Sequence, residues 1–321
     1  MKKVLLILMC CMAIQSVHAQ DTPKWADKAK KAVFSIVTYD KENKIKNTGN
    51  GFYIDNNGTA LSDYSLFEDA ERAVIINADG KELPVTRIAG ANSMYDVIKF
   101  RTETEKKITA LKVATQPAAV GETVYLLPYS TQKAATCQTG KVTQVDTIAD
   151  KAYYYTLTMT TSDKTVSCPI MNANGEVLGL IQKSASEEDK ESYAIGASYG
   201  ESLSISPLSA NDINLNKIGI AKALPETEDQ ALVYLYMSSS QMDAKNYLAT
   251  LNDFLQAYPN STEGYTRRAG YYMNIGDDEH NALAEADLKK AMDVSGNKTE
   301  GQYNVAKICL LYTSPSPRDT R

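Results

Sequence analysis

Over residues 32–199, hydrophobic and polar positions alternate in short runs separated by turn residues. This period of two is the signature of half-buried strands. AVFSIVTYD alternates and is β-branched. GFYIDNNGTALS reads as a hairpin turned at Asn56-Asn57-Gly58, and RAVIINADGKELPVTRIAG as another turned at Asp79-Gly80. MYDVIKFR, ETVYLLPYS, TGKVTQVDT, AYYYTLTM, CPIMNANGEVLGLIQ and SYAIGASY complete the series. About eleven or twelve strands at this spacing suggest two small antiparallel barrels or a sandwich. The Pro- and Ala-bearing run from Gln116 to Gly121 joins two halves of similar size.

After Pro207 the period changes. KIGIAKALPETEDQ leads into helical spacing, and YPNSTEGY at Tyr258 recurs as SGNKTEGQ at Ser295, an offset of 37 residues. The offset also aligns Leu251 with Leu288 and Ala269 with Ala306. Repeats of this length are stacked helix pairs. TEGYTRRAGYYMNIGD resembles a tetratricopeptide repeat: Tyr265 stands at its large aromatic position, Ala269 at its small one, Tyr272 at the next aromatic and Gly276-Asp277 at the turn. Small residues let the helices approach and aromatics fill the space between them. The resemblance implies a concave face lined by Glu263, Thr266, Gly270 and Met273, with Glu300, Tyr303 and Lys307 in the following copy. Mixed charge with an aromatic suits an extended peptide; a solvated helix face is the plainer alternative.

Composition narrows the function. The chain opens MKKVLLILMCCMAIQSVHAQ, with a basic start, an apolar core and Val17-His18-Ala19 as a cleavage site. That predicts an export signal over residues 1–19 and a soluble periplasmic or extracellular protein. Met9 before Cys10 argues against lipid anchoring, and no other stretch is apolar enough to span a membrane. Removing Lys2 and Lys3 shifts the net charge from -5 to -7. An acidic balance without a basic stripe argues against nucleic acid. Cys137 and Cys168 are expected as free, buried thiols, too few for a disulfide scaffold. CLLYTSPSPRDTR, from Cys309, breaks the helical pattern and looks like a translated sequencing-library adapter. Residues 309–321 are therefore expected to be non-native, with the repeats continuing past Ile308.

Three segments carry a further resemblance, to the trypsin-like serine proteases of the periplasmic heat-shock type. GFYIDNNGTALSDYSLF is similar to the segment bearing the catalytic histidine, and Ser65 occupies that position. NSMYDVIKF is similar to the aspartate segment, and Asp96 matches it. TVSCPIMNANGEVLGL is similar to the nucleophile segment, with Pro169 and Gly179 in register. Val166 stands in place of the serine, Ser167 and Cys168 in place of the two following glycines, and Lys164 in place of the glycine ahead. The family's chemistry needs imidazole to take the hydroxyl proton and a carboxylate to orient the imidazole. Of the two histidines, His18 lies in the predicted signal and His280 in a charged loop far from the strands.

Other chemistries fare worse. A shift of one residue makes Ser167 the nucleophile but supplies no base. A Ser167–Lys164 pair needs a buried lysine, and the two residues point to opposite strand faces. Cys168 without a histidine reads as a small packed residue. The cysteines lack metal-ligand spacing, the glycines form no phosphate loop, and no cofactor is implied. Tyr153-Tyr154-Tyr155 alternates between core and surface.

The expected architecture is multidomain: an all-β trypsin-like double barrel over residues 20–212, a linker over 213–227, and all-α tetratricopeptide helical hairpins over 228–308. The expected function is that of a pseudoprotease binding protein or extended peptide segments as an adaptor or scaffold, without a catalytic site. The alternative is a serine endopeptidase of the cell envelope.

Overall fold

The computed structural model describes residues 22–104, 108–149, 152–182, 191–296, 299, 302, 303, 305 and 306. The predicted signal, Glu300, Lys307 and the sequence from Cys309 lie outside the described residues.

Among the described residues, twelve strands build the first part of the chain. They are β1 Val33–Tyr39, β2 Ile45–Tyr53, β3 Thr59–Ser62, β4 Arg72–Ile76, β5 Glu82–Asn92 and β6 Val97–Thr102, then β7 Thr123–Leu126, β8 Gln138–Ala149, β9 Ala152–Leu157, β10 Pro169–Met171, β11 Val177–Ile181 and β12 Ser192–Gly196. Read round the closed circuit, the first six run β1-β2-β3-β6-β5-β4 and the last six β7-β8-β9-β12-β11-β10. Each half therefore closes into a barrel with the same strand order, and closure removes the free edges an open sheet would expose. Of the two architectures the alternation allowed, the chain adopts the barrels.

Alternation supplies each barrel's interior. Phe34, Ile36, Phe52, Leu61, Ile75, Ile88, Ile98 and Phe100 are fully enclosed in the first. There Phe100 meets Phe67 at 5.1 Å and Phe34 at 6.2 Å between ring centroids. Val124, Leu126, Leu157, Val177, Leu180 and Ile195 fill the second. Gly58 and Gly80 take left-handed φ angles at the two predicted hairpin turns. One expectation needs correction. SYAIGASY is not one strand: β12 stops at Gly196, and Ala197–Ser202 is a short helix that packs on β11. A Cβ at Gly196 would stand 2.8 Å from the Tyr153 carbonyl oxygen. The chain passes too close to its neighbour there for a side chain.

Numbered along the chain, α1 is Ala26–Ala29, α2 Ala197–Ser202, α3 Ile213–Asn216, α4 Glu228–Ser238, α5 Ala244–Ala257, α6 Thr262–Ile275 and α7 Asp278–Val294. The last four begin with side-chain caps from Thr227, Asp243, Ser261 and Asp277, each accepting a backbone N–H. α6 ends at Gly276, whose φ of 77° reverses the chain into α7. Adding the 37-residue offset carries α5 onto residues 281–294 of α7, so the repeat in sequence is a repeat of helices. Leu251 and Leu288, matched by that offset, are both buried.

Segments outside the barrels tie the parts together. Trp25 caps the turn at Gly175 and donates its indole N–H to the Ala173 carbonyl at 3.0 Å. Lys30 donates to the carbonyls of Gln132 and Lys133. The stretch entering β1 thus clamps the second barrel. Residues 213–227, expected as a linker, lie against the first barrel. Ile88 donates to the Ala221 carbonyl at 2.8 Å and accepts from Ala223 N–H at 2.7 Å, while Leu215, Ile218 and Ile220 are buried.

Candidate functional site

The first barrel brings Ser65 and Asp96 together. A short helical turn, Tyr64–Leu66, follows β3, and the Tyr64 hydroxyl fixes it by donating to the Asn214 carbonyl at 3.1 Å. Asp96 ends the turn before β6 with a φ of 48°, a left-handed conformation that aspartate tolerates better than most residues. Its carboxylate accepts the Ser65 backbone N–H at 2.7 Å and the Ser65 hydroxyl at 3.0 Å. The two positions that the resemblance pairs, Ser65 and Asp96, therefore face each other through a hydroxyl and a carboxylate.

The second barrel presents residues 162–168 as a tight turn ahead of β10. Thr165 N–H donates to the Ser162 carbonyl at 2.8 Å, Val166 N–H to the same carbonyl at 3.2 Å, and Cys168 N–H to Thr165 at 3.1 Å. Ser167 N–H reaches across to Ile181 at 2.9 Å. Lys164 is exposed and Val166 half-buried. Ser167 is fully enclosed, at 0% exposure and a φ of 63°. No reactant reaches its hydroxyl in this conformation. Lys164 lies on the surface and Ser167 in the interior, but on a turn ahead of β10 and not on the strand assumed from their spacing.

Asn50 joins the two barrels. Its side-chain amide donates to the carbonyls of Lys164 at 3.0 Å and Val166 at 2.9 Å, while Ser62 holds the Asn50 carbonyl at 2.6 Å. Beneath the turn lies a buried polar cluster. Asp63 is enclosed beside Ser167, and Asp63 Oδ1 and Ser167 Oγ both lack a hydrogen-bond partner. Burial, reinforced by the charge of Asp96, holds the Asp63 carboxyl well above its usual range. Burial likewise pushes the Cys168 thiol up to about 12, so it stays protonated and weakly nucleophilic. Cys168 is a free, fully enclosed thiol; Cys137 is free and half-buried, directly ahead of β8, with its thiol pushed up to about 11.

Neither Asn50 nor Asp63 stood out in the sequence. Asn50 acts on residues more than a hundred positions away, and no local pattern signals such a contact. Asp63 lies two residues before Ser65 in the quoted histidine-type segment, which was the one available signal. Among the described residues, no three His, Cys, Asp or Glu side chains gather as metal ligands.

The helical candidates divide. Glu263 is exposed and pairs with Arg267 at 2.8 Å. Tyr303 is 66% exposed. Thr266 and Gly270 do not line an open face: both are buried, and the Thr266 hydroxyl turns back to the Glu263 carbonyl at 2.9 Å. Met273 is half-buried against the cluster of Ala269, Ala284 and Leu288. Small residues one helical turn apart mark a face of close approach, so the resemblance assigned to an open concave face a stripe that packing covers.

Comparison with known proteins places this geometry. Comparison with curated proteins finds no match. A solved serine endoprotease from Yersinia pestis is similar at 15% identity and a TM-score of 0.47, covering 56% of this chain and 65% of that one. This chain thus spans less than two thirds of that protease's length. Residues 49–180 match the family model of the trypsin-like peptidase domain. That span runs from β2, with Asn50, through Ser65 and Asp96 to the turn at Val166 and on to β11. With two closed six-stranded barrels of equal strand order around it, this part of the chain has the trypsin-like fold and resembles the trypsin-like peptidase domain.

Proposed function

We propose that this protein is an exported pseudoprotease that binds protein segments as an adaptor, its helical region being a set of tetratricopeptide repeats. One observation carries the reading: Asp96 spends its carboxylate on the hydroxyl and N–H of Ser65, where the family's mechanism requires imidazole. The turn at the nucleophile position supports it. Val166 offers no nucleophile, and its N–H is engaged with Ser162 rather than aimed at an oxyanion. His280 stands at the start of α7, against Asp277 at 2.7 Å, on the helical part of the chain. Loss of a triad member costs about four to six powers of ten in rate. The helix repeat and exposed Glu263 and Tyr303 support the adaptor role.

The test is labelling of the purified protein by a serine-reactive fluorophosphonate, beside cleavage of an unstructured protein substrate. Neither is expected above background. Ser65→His with Val166→Ser is expected to remain inactive as well, because the 162–168 turn is unchanged. Stoichiometric labelling, or cleavage abolished by Ser167→Ala, would instead establish the endopeptidase.

A further inference from the structure

The turn over residues 162–168 closes on a group that it leaves unsatisfied. Asp63 is 2% exposed and Ser167 0%, and neither Asp63 Oδ1 nor Ser167 Oγ has a hydrogen-bond partner among the described residues. The short helical turn that follows Asp63 takes no cap from its side chain. An enclosed, unbonded carboxyl keeps its proton, because the ion would lose its water and find no replacement. The groups around it do not relieve this. From the turn before β6, Asp96 adds a negative charge. From the 162–168 turn come the Ser167 hydroxyl and the Cys168 thiol, which is neutral. Among the described residues no cation acts on Asp63. The turn is also strained in its backbone, since Ser167 has a φ of 63°, in the left-handed region that a residue with a side chain enters at a cost. Against this, Asn50 donates to the Lys164 and Val166 carbonyls, and Ser167 N–H to Ile181.

We propose that residues 162–168 form a pH-driven latch, which opens when Asp63 releases its proton to water and so uncovers Ser167 and Cys168. Opening hydrates the Asp63 carboxylate and the Ser167 hydroxyl together, and lets Ser167 leave its left-handed conformation. Ionisation supplies the drive. In the closed turn, burial and the charge of Asp96 hold the carboxyl well above its ordinary range. Opened to water, it returns to a pKa of about 4. By linkage, the latch is tight in acid and loosens as pH rises from that value towards the closed-state one, by up to about tenfold per pH unit. Below about pH 4 both forms hold the proton and pH has no effect. The latch does not depend on the adaptor role, because neither the helices nor a catalytic base takes part in it.

Cys168 reports the opening, because it is free, fully enclosed and next to Ser167. The full chain is pulsed with N-ethylmaleimide across a series of pH values, and modification of Cys168 is read by peptide mass spectrometry in the parent and in Asp63→Asn. The ratio of parent to variant rate is expected to climb with pH above about pH 4, by up to about tenfold per unit. An ionised Asp63 raises the Cys168 pKa and slows the closed thiol, so the closed state cannot produce that rise. Amide exchange of the parent gives a reading that needs no variant. The Ser167 N–H should exchange faster than the amides of β6, at a rate rising by up to about a hundredfold per pH unit, one tenfold step from hydroxide and one from the latch. A Cys168 ratio that stays level with pH overturns the proposal. So does exchange of Ser167 in step with β6, which would mean that the turn opens only when the barrel unfolds.

Discussion

At Asp63 a carboxyl is enclosed with Oδ1 unpartnered, facing Ser167 and within the field of Asp96. Its pKa rises on folding, so the folded state holds a proton that the unfolded chain releases at about pH 4. The stability linked to this group is complete below the ordinary carboxylate range and declines as pH rises towards the folded-state value. Asp63→Asn keeps the shape and removes the ionisation. It is expected to stabilise the protein at pH 7 by about 1–3 kcal/mol, with the gain vanishing in acid. Thermal melts of both proteins across pH check this; a less stable variant at pH 7 contradicts it. Asn50→Ala makes the opposite prediction. It strands two carbonyls of the 162–168 turn and should cost about 1–3 kcal/mol, with faster amide exchange in that turn. The family resemblance of the quoted segments placed Ser65, Asp96 and Val166. It gave no sign of Asn50, whose partners lie 114 and 116 residues away.

At the level of elements, a well-formed ion pair joins two of the helices. Arg268 on α6 bonds Asp287 on α7 through two nitrogens, each at 2.7 Å, and reaches Asn252 on α5 at 2.8 Å. Asp287 is 6% exposed, so losing its partner leaves a charge in the interior. Arg268→Met is expected to cost about 3–5 kcal/mol, read as an early helical transition in denaturant melts. A melt matching the parent's would show that apolar packing alone holds these helices. The clamp ahead of β1 makes a second prediction: Trp25→Ala leaves the Gly175 turn uncovered, costing about 3 kcal/mol and loosening the second barrel in hydrogen exchange. Strands and helices were legible because their periods of two and 3.6 are local. The inward face of α6 was not: Thr266 and Gly270 carry side chains, or none, that suit water and a tight interface equally well.

For the molecule as a whole, the question is how rigidly the helices ride on the barrels. Arg87 on β5 donates through two nitrogens to the Asp253 carboxylate on α5, and residues 218–223 bond Ala70 and Ile88 of the first barrel. Both partners of the ion pair are about one-third exposed, so solvent screening limits its contribution to about 1 kcal/mol. Arg87→Ala should leave each part folded while raising the rate of proteolytic cutting near residues 224–227. Equal cutting in both proteins would assign the docking to residues 218–223 alone.

Local alternation and the 37-residue repeat were enough to read strands first and helices after, and three quoted segments carried a family resemblance lacking its histidine and serine. Those features depend on residue identity and on spacing along the chain, and both survive without coordinates. Closure into two barrels of equal strand order, the burial of Ser167 beside Asp63, and the seating of residues 218–223 against Ile88 emerge only in three dimensions. Each rests on backbone or side-chain groups that are remote in the chain meeting within hydrogen-bond distance. Such pairings follow from how the whole chain excludes water and satisfies its buried polar groups, which no short segment specifies by itself.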